Sequence, residues 1–270
     1  MVIKMRETQK FDPRQEMHKK SFEVFLYREP KAAKVDVHHH DFYEVYCFVG
    51  GEAEYWVEGH SYILQPGDLL LINPMELHRP IIGQGAVYER ILLWIDRGYL
   101  DSLSGSSDLT RCFKSGNNLL RGGTWITDKL YDLVRESYGK GWAADVYAKG
   151  IFMQLMVEIN RLSPYGVVQQ SSLISRVLEY IGTHYGDKLS LDFLSAKFYV
   201  SKYHLSHEFK TETGTSIYRY ITLKRLAAAR QMLIDGLAPG DACVECGFSD
   251  YTAFYKAFKT EYGISPNSMR

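Results

Sequence analysis

The sequence predicts an α+β multidomain chain: an N-terminal β-barrel with flanking helices, then an all-α domain with two helix-turn-helix units in tandem. Three observations predict it. Short β-branched and aromatic runs, punctuated by Gly and Pro, fill the stretch from Phe22 to about Asp96. Apolar residues at helical spacing take over after Thr124. Finally, Phe209-Lys210-Thr211-Glu212-Thr213-Gly214 recurs as Phe258-Lys259-Thr260-Glu261-Tyr262-Gly263, each copy closing a helix-length segment that follows a turn and another short helix.

Composition sets bounds. A length of 270 residues is a soft prior for two domains. No apolar run approaches the roughly 18–20 residues that cross a bilayer, and Met1 to Lys20 is charged and lacks the apolar stretch of a signal peptide. The expectation is a cytoplasmic protein without a membrane partner. The chain is neutral, with 32 Lys and Arg against 32 Asp and Glu. From Ser171 onward there are 12 against 10, a balance of +2, which leaves 20 against 22 before it. Affinity for nucleic acid must therefore come from where charges sit, not from a strong overall field. The four cysteines, Cys47, Cys112, Cys243 and Cys246, are scattered; Cys243 and Cys246 form a CxxC inside a helical pattern with no second pair, and read as small buried residues.

Strands are expected at Ser21–Tyr27, Phe42–Val49, Ala53–Val57, Tyr62–Leu64, Leu69–Ile72 and Val87–Ile95. Gly50-Gly51, Glu58-Gly59, Pro66-Gly67-Asp68 and Asn73-Pro74 separate them, since glycine supplies positive φ and proline fixes the turn. Many short strands at this spacing indicate a barrel or sandwich. Within this region His38-His39-His40-Asp41-Phe42-Tyr43-Glu44 reads H-x-H-x-x-x-E, followed by Pro66-Gly67-Asp68, Pro74 and His78. Residues 38, 40 and 44 share parity, so one extended strand would turn them to the same side, with His39 facing solvent.

That segment resembles the cupin family of small β-barrels, although Pro66-Gly67-Asp68 replaces the usual P-x-G form. In metal-binding cupins the matching residues, here His38, His40, Glu44 and His78, hold a metal ion. The same pattern recurs in sensor barrels of sugar-responsive regulators that need none. The reading adopted is metal-free and without a cofactor: these side chains bond a polar ligand or each other. Tyr46 and Phe48 continue the parity of Glu44, and Trp56 and Trp94 add aromatic walls. Arg90 could anchor an acidic ligand or pair with Glu44 or Glu89. The candidate ligand set is His38, His40, Glu44, Tyr46, Trp56, His78, Arg90 and Trp94. Aromatic faces with a few polar groups suit a polar small molecule such as a sugar, although alternating aromatics are also what a barrel core contains.

Gly98 to Gly123 reads as loop with a short helical piece around Leu100 and Leu109. Helices follow at about Thr124–Tyr138 and Ala143–Leu162, with stripes that either cover the barrel or form a two-fold dimer interface. Ser163-Pro164-Tyr165-Gly166, followed by Val167 to Ser171, reads as a linker. The expected division is 1–163 for ligand sensing and dimerisation, 164–171 for the linker, and 172–270 for the helical domain.

In the helical domain, Leu173 to Tyr185 leads. Ser190 caps a short helix carrying Leu191, Leu194 and the small Ser195. Ser201 caps the next, which buries Leu205 and Phe209 and leaves Ser201, Lys202, Tyr203, His204, Ser206, His207 and Lys210 outward. A connector, about Ser216–Ile234, leads to the second unit. There Cys243 takes the small-residue position and the turn Gly247-Phe248-Ser249-Asp250 is one residue longer. Phe254 and Phe258 point inward; Ser249, Asp250, Tyr251, Thr252, Tyr255, Lys256 and Lys259 point outward. Two such helices on one connector should enter successive major grooves about 34 Å apart, with Lys and helix N-termini on phosphates and the polar side chains on base edges.

The run Ala242-Cys243-Val244-Glu245-Cys246-Gly247-Phe248-Ser249-Asp250, through Phe254 and Phe258-Lys259 to Gly263-Ile264-Ser265-Pro266, is similar to the signature of the AraC/XylS family of bacterial transcription regulators, and covers about the last hundred residues. The resemblance implies a non-enzymatic regulator of double-stranded DNA: a cupin-like barrel binding a small-molecule effector, a sugar in one branch, dimerisation through helices beside the barrel, and activation by contact with RNA polymerase. Two alternatives stay open: a cupin metalloenzyme fused to a DNA-binding module, and a constitutive DNA-binding dimer whose barrel takes no ligand.

Overall fold

A computed structural model describes residues 16–30, 35–83, 87–105, 107–163 and 172–269. The chain divides into two compact units, Met1–Val57 with Ser61–Gln170, and Ser171–Arg270 with Glu58–His60. The predicted linker, 164–171, and the first fifteen residues lie outside the described residues. Among the described residues no helix is long and apolar enough to cross a membrane.

The first unit is built on two sheets. Strands β1 (Phe22–Glu29), β2 (Tyr43–Gly50), β5 (Asp68–Ile72), β7 (Tyr88–Ile95) and β8 (Leu119–Arg121) form one, in the order β1-β7-β2-β5-β8; β3 (Ala53–Val57), β4 (His60–Ile63) and β6 (His78–Ile82) form the other, in the order β4-β3-β6. Neighbours in the larger sheet pair antiparallel. Alternation then sorts the side chains. Val45, Cys47, Leu69, Leu71, Ile91, Leu93 and Ile95 share a core with Ile126, Leu130, Phe152 and Met156. The opposite parity, Tyr46, Phe48, Leu70, Ile72, Leu92 and Trp94, packs with Tyr55 and Val57 of the smaller sheet. The larger sheet is thus covered on both faces, which explains why Leu69-Leu70-Leu71-Ile72 is apolar without interruption.

The covering helices are α1 (Arg97–Ser104), α2 (Thr124–Tyr138) and α3 (Ala144–Leu162). Asp96 caps α1 through Tyr99 N. Between α1 and α2 the sequence predicted mostly loop with helix near Leu109. The structure instead places a 3-10 turn at Arg111–Lys114 and the edge strand β8 at Leu119–Arg121. Asn160 fixes this connection from inside α3: its side chain accepts from Cys112 N at 2.9 Å and donates to Leu109 O at 2.8 Å. Strand β6 was also unforeseen, because Pro80 interrupts it. An edge strand tolerates that proline, and β6 is an edge.

The second unit comprises α4 (Leu173–His184), α5 (Leu191–Lys197), α6 (Lys202–Thr213), α7 (Ile217–Ile234), α8 (Pro239–Glu245) and α9 (Tyr251–Tyr262). Ser172, Ser190, Ser201, Ser216 and Asp250 cap α4, α5, α6, α7 and α9, each accepting a backbone N–H three residues on. Gly214 and Gly263 end α6 and α9 in the left-handed conformation, at φ 74° and 72°.

Candidate functional site: a barrel cluster and a paired helical face

In the barrel, β2 begins at Tyr43, so the expectation that one extended strand carries 38, 40 and 44 is corrected. The chain bends at 41–42. His38 instead forms a two-residue bridge with His78, the backbone N–H of each donating to the other's carbonyl at 3.1 and 3.0 Å. The bend still delivers the rings to one place. His38 and His78 have ring centroids 4.3 Å apart, and His40 and His78 4.8 Å. His40 Nε2 lies 3.5 Å from Glu44 Oε2. Ligand atoms of His40, Glu44 and His78, all buried, lie within 4.8 Å of one another. His39 is half-buried, not fully solvated.

Each of the three rings at this cluster has Nδ1 against a main-chain carbonyl: His38 with Asp36 O at 2.9 Å, His40 with Phe42 O at 2.9 Å, His78 with Glu76 O at 2.8 Å. A carbonyl only accepts, so Nδ1 of each ring carries a proton, and in a neutral ring Nε2 is then the lone-pair nitrogen. Burial drags the His38 pKa down to about 4, and burial, with His38 and His40 beside it, holds His78 well below the usual imidazole range.

Next to this cluster lies a cavity of about 10 Å³, room for one water, lined by Val35, His38, Glu44, Tyr46, Tyr55, Pro80, Arg90 and Leu92. Tyr46 and Tyr88 share a short hydroxyl–hydroxyl bond. Burial raises the phenols of Tyr46 and Tyr55 well above the ordinary range, so they act as neutral hydrogen-bonding groups. Arg90 donates to Glu29 at 2.7 Å, and its guanidinium lies over the Tyr27 and Tyr88 rings.

Of the predicted ligand set, His38, Glu44, Tyr46 and Arg90 line this cavity. His40 and His78 stand behind Glu44 in the cluster. Trp94 holds the site in place, its indole N–H donating to Glu44 Oε2 at 2.6 Å. Trp56 is a correction: it is fully buried, but Tyr55, of the opposite parity on β3, is the aromatic that reaches the cavity. Sequence reasoning missed Tyr55, although its two-residue spacing from Ala53 and Val57 carried the signal.

The second surface lies on α6 and α9. Ser201, Lys202, Tyr203, His204, Ser206, His207 and Lys210 are all exposed, while Leu205 and Phe209 are fully buried. Ser249, Asp250, Tyr251, Thr252, Lys256 and Lys259 are exposed, Tyr255 is half-buried, and Phe254 and Phe258 are fully buried. Two of these side chains already have local partners: Asp250 caps α9 through Ala253 N at 2.7 Å, and Lys202 pairs with Asp192 at 2.6 Å.

The two units are equivalent bond for bond. In the first, Tyr199 N donates to Ala196 O and Val200 N to Ser195 O; in the second, Gly247 N donates to Val244 O and Phe248 N to Cys243 O. Both are Schellman closures of the first helix. Ser195 and Cys243 are buried at the same position, as predicted, and the second turn is longer by one residue before α9 begins. Cys243 and Cys246 are buried free thiols.

A two-sheet barrel with a polar interior, joined in sequence to two equivalent helix-turn-helix units with exposed polar second helices, defines a DNA-binding regulator with a ligand-binding domain. Residues 21–156 match the model of the AraC-like ligand binding domain, and residues 194–270 that of a helix-turn-helix domain. The chain belongs to the AraC family of transcription regulators. It is 29% identical over 225 residues to the uncharacterized HTH-type transcriptional regulator YbfI of Bacillus subtilis (strain 168), covering 79% of this chain and 78% of that one. It is 24% identical over 259 residues to the HTH-type transcriptional activator RhaS of Escherichia coli O81 (strain ED1a), covering 90% of each. An apo crystal structure of ToxT from Vibrio cholerae strain SCE256 aligns over 94% of this chain and 98% of its own, at 14% identity and a TM-score of 0.46.

Proposed function

We propose that this chain is a cytoplasmic, non-enzymatic activator of transcription that binds double-stranded DNA as a homodimer and is controlled by a small polar effector. The observation that carries the reading is the pair of equivalent units, each burying two apolar residues of its second helix and presenting a polar, lysine-bearing face. Activation is supported by the name of the RhaS relatives, HTH-type transcriptional activator; contact with RNA polymerase is part of the same proposal.

The effector enters the barrel beside Glu44, Tyr46, Tyr55 and Arg90, a set suited to a hydroxyl-rich molecule such as a sugar. A monosaccharide exceeds the one-water cavity, so binding requires the surrounding side chains to move apart. The dimer uses the outer face of α3, where Trp142, just ahead of the helix, is 99% exposed and Val146 and Tyr147 are 62% exposed each. Val146 and Tyr147 are exposed apolar groups in the first turn of α3, with Trp142 exposed just before it, and exposed apolar surface of this kind suits self-association. In this reading 1–163 is the sensing and dimerising domain, 172–270 the DNA-binding domain, and 164–171 the linker.

The test is selection of bound sequences from a random duplex pool with the full chain, followed by footprinting. Two protected half-turns about one helical repeat apart per chain are expected. Absence of sequence preference, or a single protected groove, would overturn the assignment of both helices. Sedimentation of Trp142→Ala with Tyr147→Ser, expected to shift the chain to monomer, tests the dimer face.

A further inference from the structure

We infer that the open edge of β1 and the end of α2 form a second small-molecule site, for a compound carrying a primary ammonium group on a short apolar body. The inference goes beyond the effector reading of the barrel and does not rest on it.

Room distinguishes the two places. The cavity beside Glu44 and Tyr46 measures about 10 Å³. A cleft of about 270 Å³ lies between residues 22–25 of β1, Ser137 and Tyr138 of α2, and His18 and Lys19, and shares no lining residue with that cavity. Its volume approaches the roughly 300 Å³ at which small-molecule sites begin. The cleft exists because β1 ends the order of its sheet, so no described strand lies along its outer edge. From α2, Tyr138 reaches this edge and its hydroxyl donates to Val24 O at 2.8 Å.

The walls are held from behind. The Phe22 ring stacks on Phe152 with centroids 4.5 Å apart, and Phe25 meets Trp94 at 4.6 Å in an edge contact. Met17 packs against the barrel core, and Ser21 O accepts from Asp96 N at 2.9 Å, which ties down the segment carrying His18 and Lys19. A site fixed before its ligand arrives loses little to ordering on binding.

The polar groups select the class of ligand. Ser137 Oγ is buried without a hydrogen-bond partner. Glu23 is only 9% exposed, and its carboxylate accepts from His18 N at 3.1 Å, which leaves most of its accepting capacity unused. Tyr138, with its proton committed to Val24 O, can only accept further bonds. A carboxylate, a hydroxyl and a phenol oxygen that all accept are matched by an ammonium group, which has three donors and no acceptor. A carboxylate this deeply placed also calls for positive charge, which a sugar does not bring. Phe22, Val24 and Phe25 supply the apolar wall for the body, and two of them favour an aromatic one. Lys19 is exposed at the mouth, where it suits a carboxylate on the ligand. The ammonium group therefore has two sources, a plain amine or a free amino acid.

The experiment titrates the full chain calorimetrically with phenethylamine, with L-phenylalanine, and with 3-phenylpropionate, which is phenylalanine without its nitrogen. At least one of the nitrogen compounds should bind once per chain with a Kd of about 1 mM or tighter, and 3-phenylpropionate at least tenfold more weakly. Glu23→Gln should weaken that binding tenfold or more. Ser137→Leu should abolish it by filling the cleft, and Ser137→Ala, too small a change to disturb the fold, should weaken it about tenfold. Each variant is checked for native circular dichroism. Lys19→Ala separates the sources: a loss confined to phenylalanine marks a free amino acid, and tighter binding of phenethylamine, unaffected by Lys19→Ala, marks a plain amine. No binding of either nitrogen compound at about 10 mM, weaker than small-molecule sites of this kind, overturns the inference. Equal binding of 3-phenylpropionate overturns it too, as does affinity unchanged in Glu23→Gln and both Ser137 variants, which would place the compound elsewhere on the chain. None of these negatives touches the sugar and DNA assays, which contain no amine ligand.

Discussion

Gly186 and Gly247 meet backbone to backbone: a Cβ on Gly247 would stand 2.4 Å from the carbonyl oxygen of Gly186. Gly247 is also at φ 78°, in the left-handed turn that closes α8. Two independent constraints thus require glycine there. The left-handed backbone alone costs an L side chain about 1–2 kcal/mol, and overpacking typically adds 1–3. Gly247→Ala should therefore destabilise the helical unit by roughly 2–5 kcal/mol. The check is the urea midpoint of that unit, followed by helical circular dichroism. A loss below about 0.5 kcal/mol, the range of ordinary surface changes, would mean that the two backbones do not approach so closely.

The first unit meets the same geometry with the wrong residue. Tyr199 occupies the position of Gly247, at φ 57°, and is 95% exposed. Its side chain has nothing to pack against, so the strain is not offset locally. Tyr199→Gly should stabilise the helical unit by about 0.5–1 kcal/mol, the left-handed penalty less the extra entropy glycine gains when unfolded. A decrease in the midpoint would show that the tyrosine contributes contacts outweighing its backbone cost.

The helical domain was legible in the sequence because its signals are local. Caps at Ser190, Ser201, Ser216 and Asp250, stops at Gly214 and Gly263, and a duplicated Phe-Lys-Thr-Glu each act within four residues of themselves. The barrel was legible only in outline. Strands β6 and β8 were missed because one contains Pro80 and the other is three residues long; both exist through partners far along the chain, Tyr55 for Pro80 and Leu69 for Leu120. The histidines do converge, but not by the route the sequence suggested. Strand parity does not place His38 and His40; the bend at 41–42 and the bridge to His78 do. Tyr55, which shares parity with Ala53 and Val57 on β3, lines the cavity where the sequence pointed to Trp56.

Charge on the DNA face is unevenly available. Lys202 is held by Asp192 at 2.6 Å, both largely exposed, so part of its field is cancelled before any phosphate arrives. Asp192→Asn should tighten binding to all duplexes by about 2- to 5-fold at low salt, by removing a repulsive charge and releasing Lys202. Lys259→Ala should weaken binding across sequences and lower the slope of log affinity against log salt by about 0.9. Titration of labelled duplex at four salt concentrations reads both. If Asp192→Asn weakens binding, the ion pair is positioning Lys202 instead of masking it.

Thiol ionisation gives the chain a defined alkaline weakness. Burial pushes Cys47, Cys112 and Cys246 up to about 12 from an ordinary value of 9.0. Below pH 9 both folded and unfolded states hold these protons, and the thiols do not affect stability. Between pH 9 and 12 the unfolded chain releases them while the folded chain keeps them, so the native state binds more protons and stability falls as pH rises. Each thiol contributes a slope of at most about 1.4 kcal/mol per pH unit in that window. Urea midpoints should accordingly fall between pH 9 and 10.5 and fall less steeply in Cys112→Ala, whose own titration has been removed. The same protection makes the thiols unreactive in the native state: at pH 8, Ellman's reagent should modify Cys47, Cys112 and Cys246 only after urea is added. Fast modification of Cys246 in the absence of urea would place the α8 turn in a frequently open state, and its reaction rate would then measure the opening of the second helix-turn-helix unit.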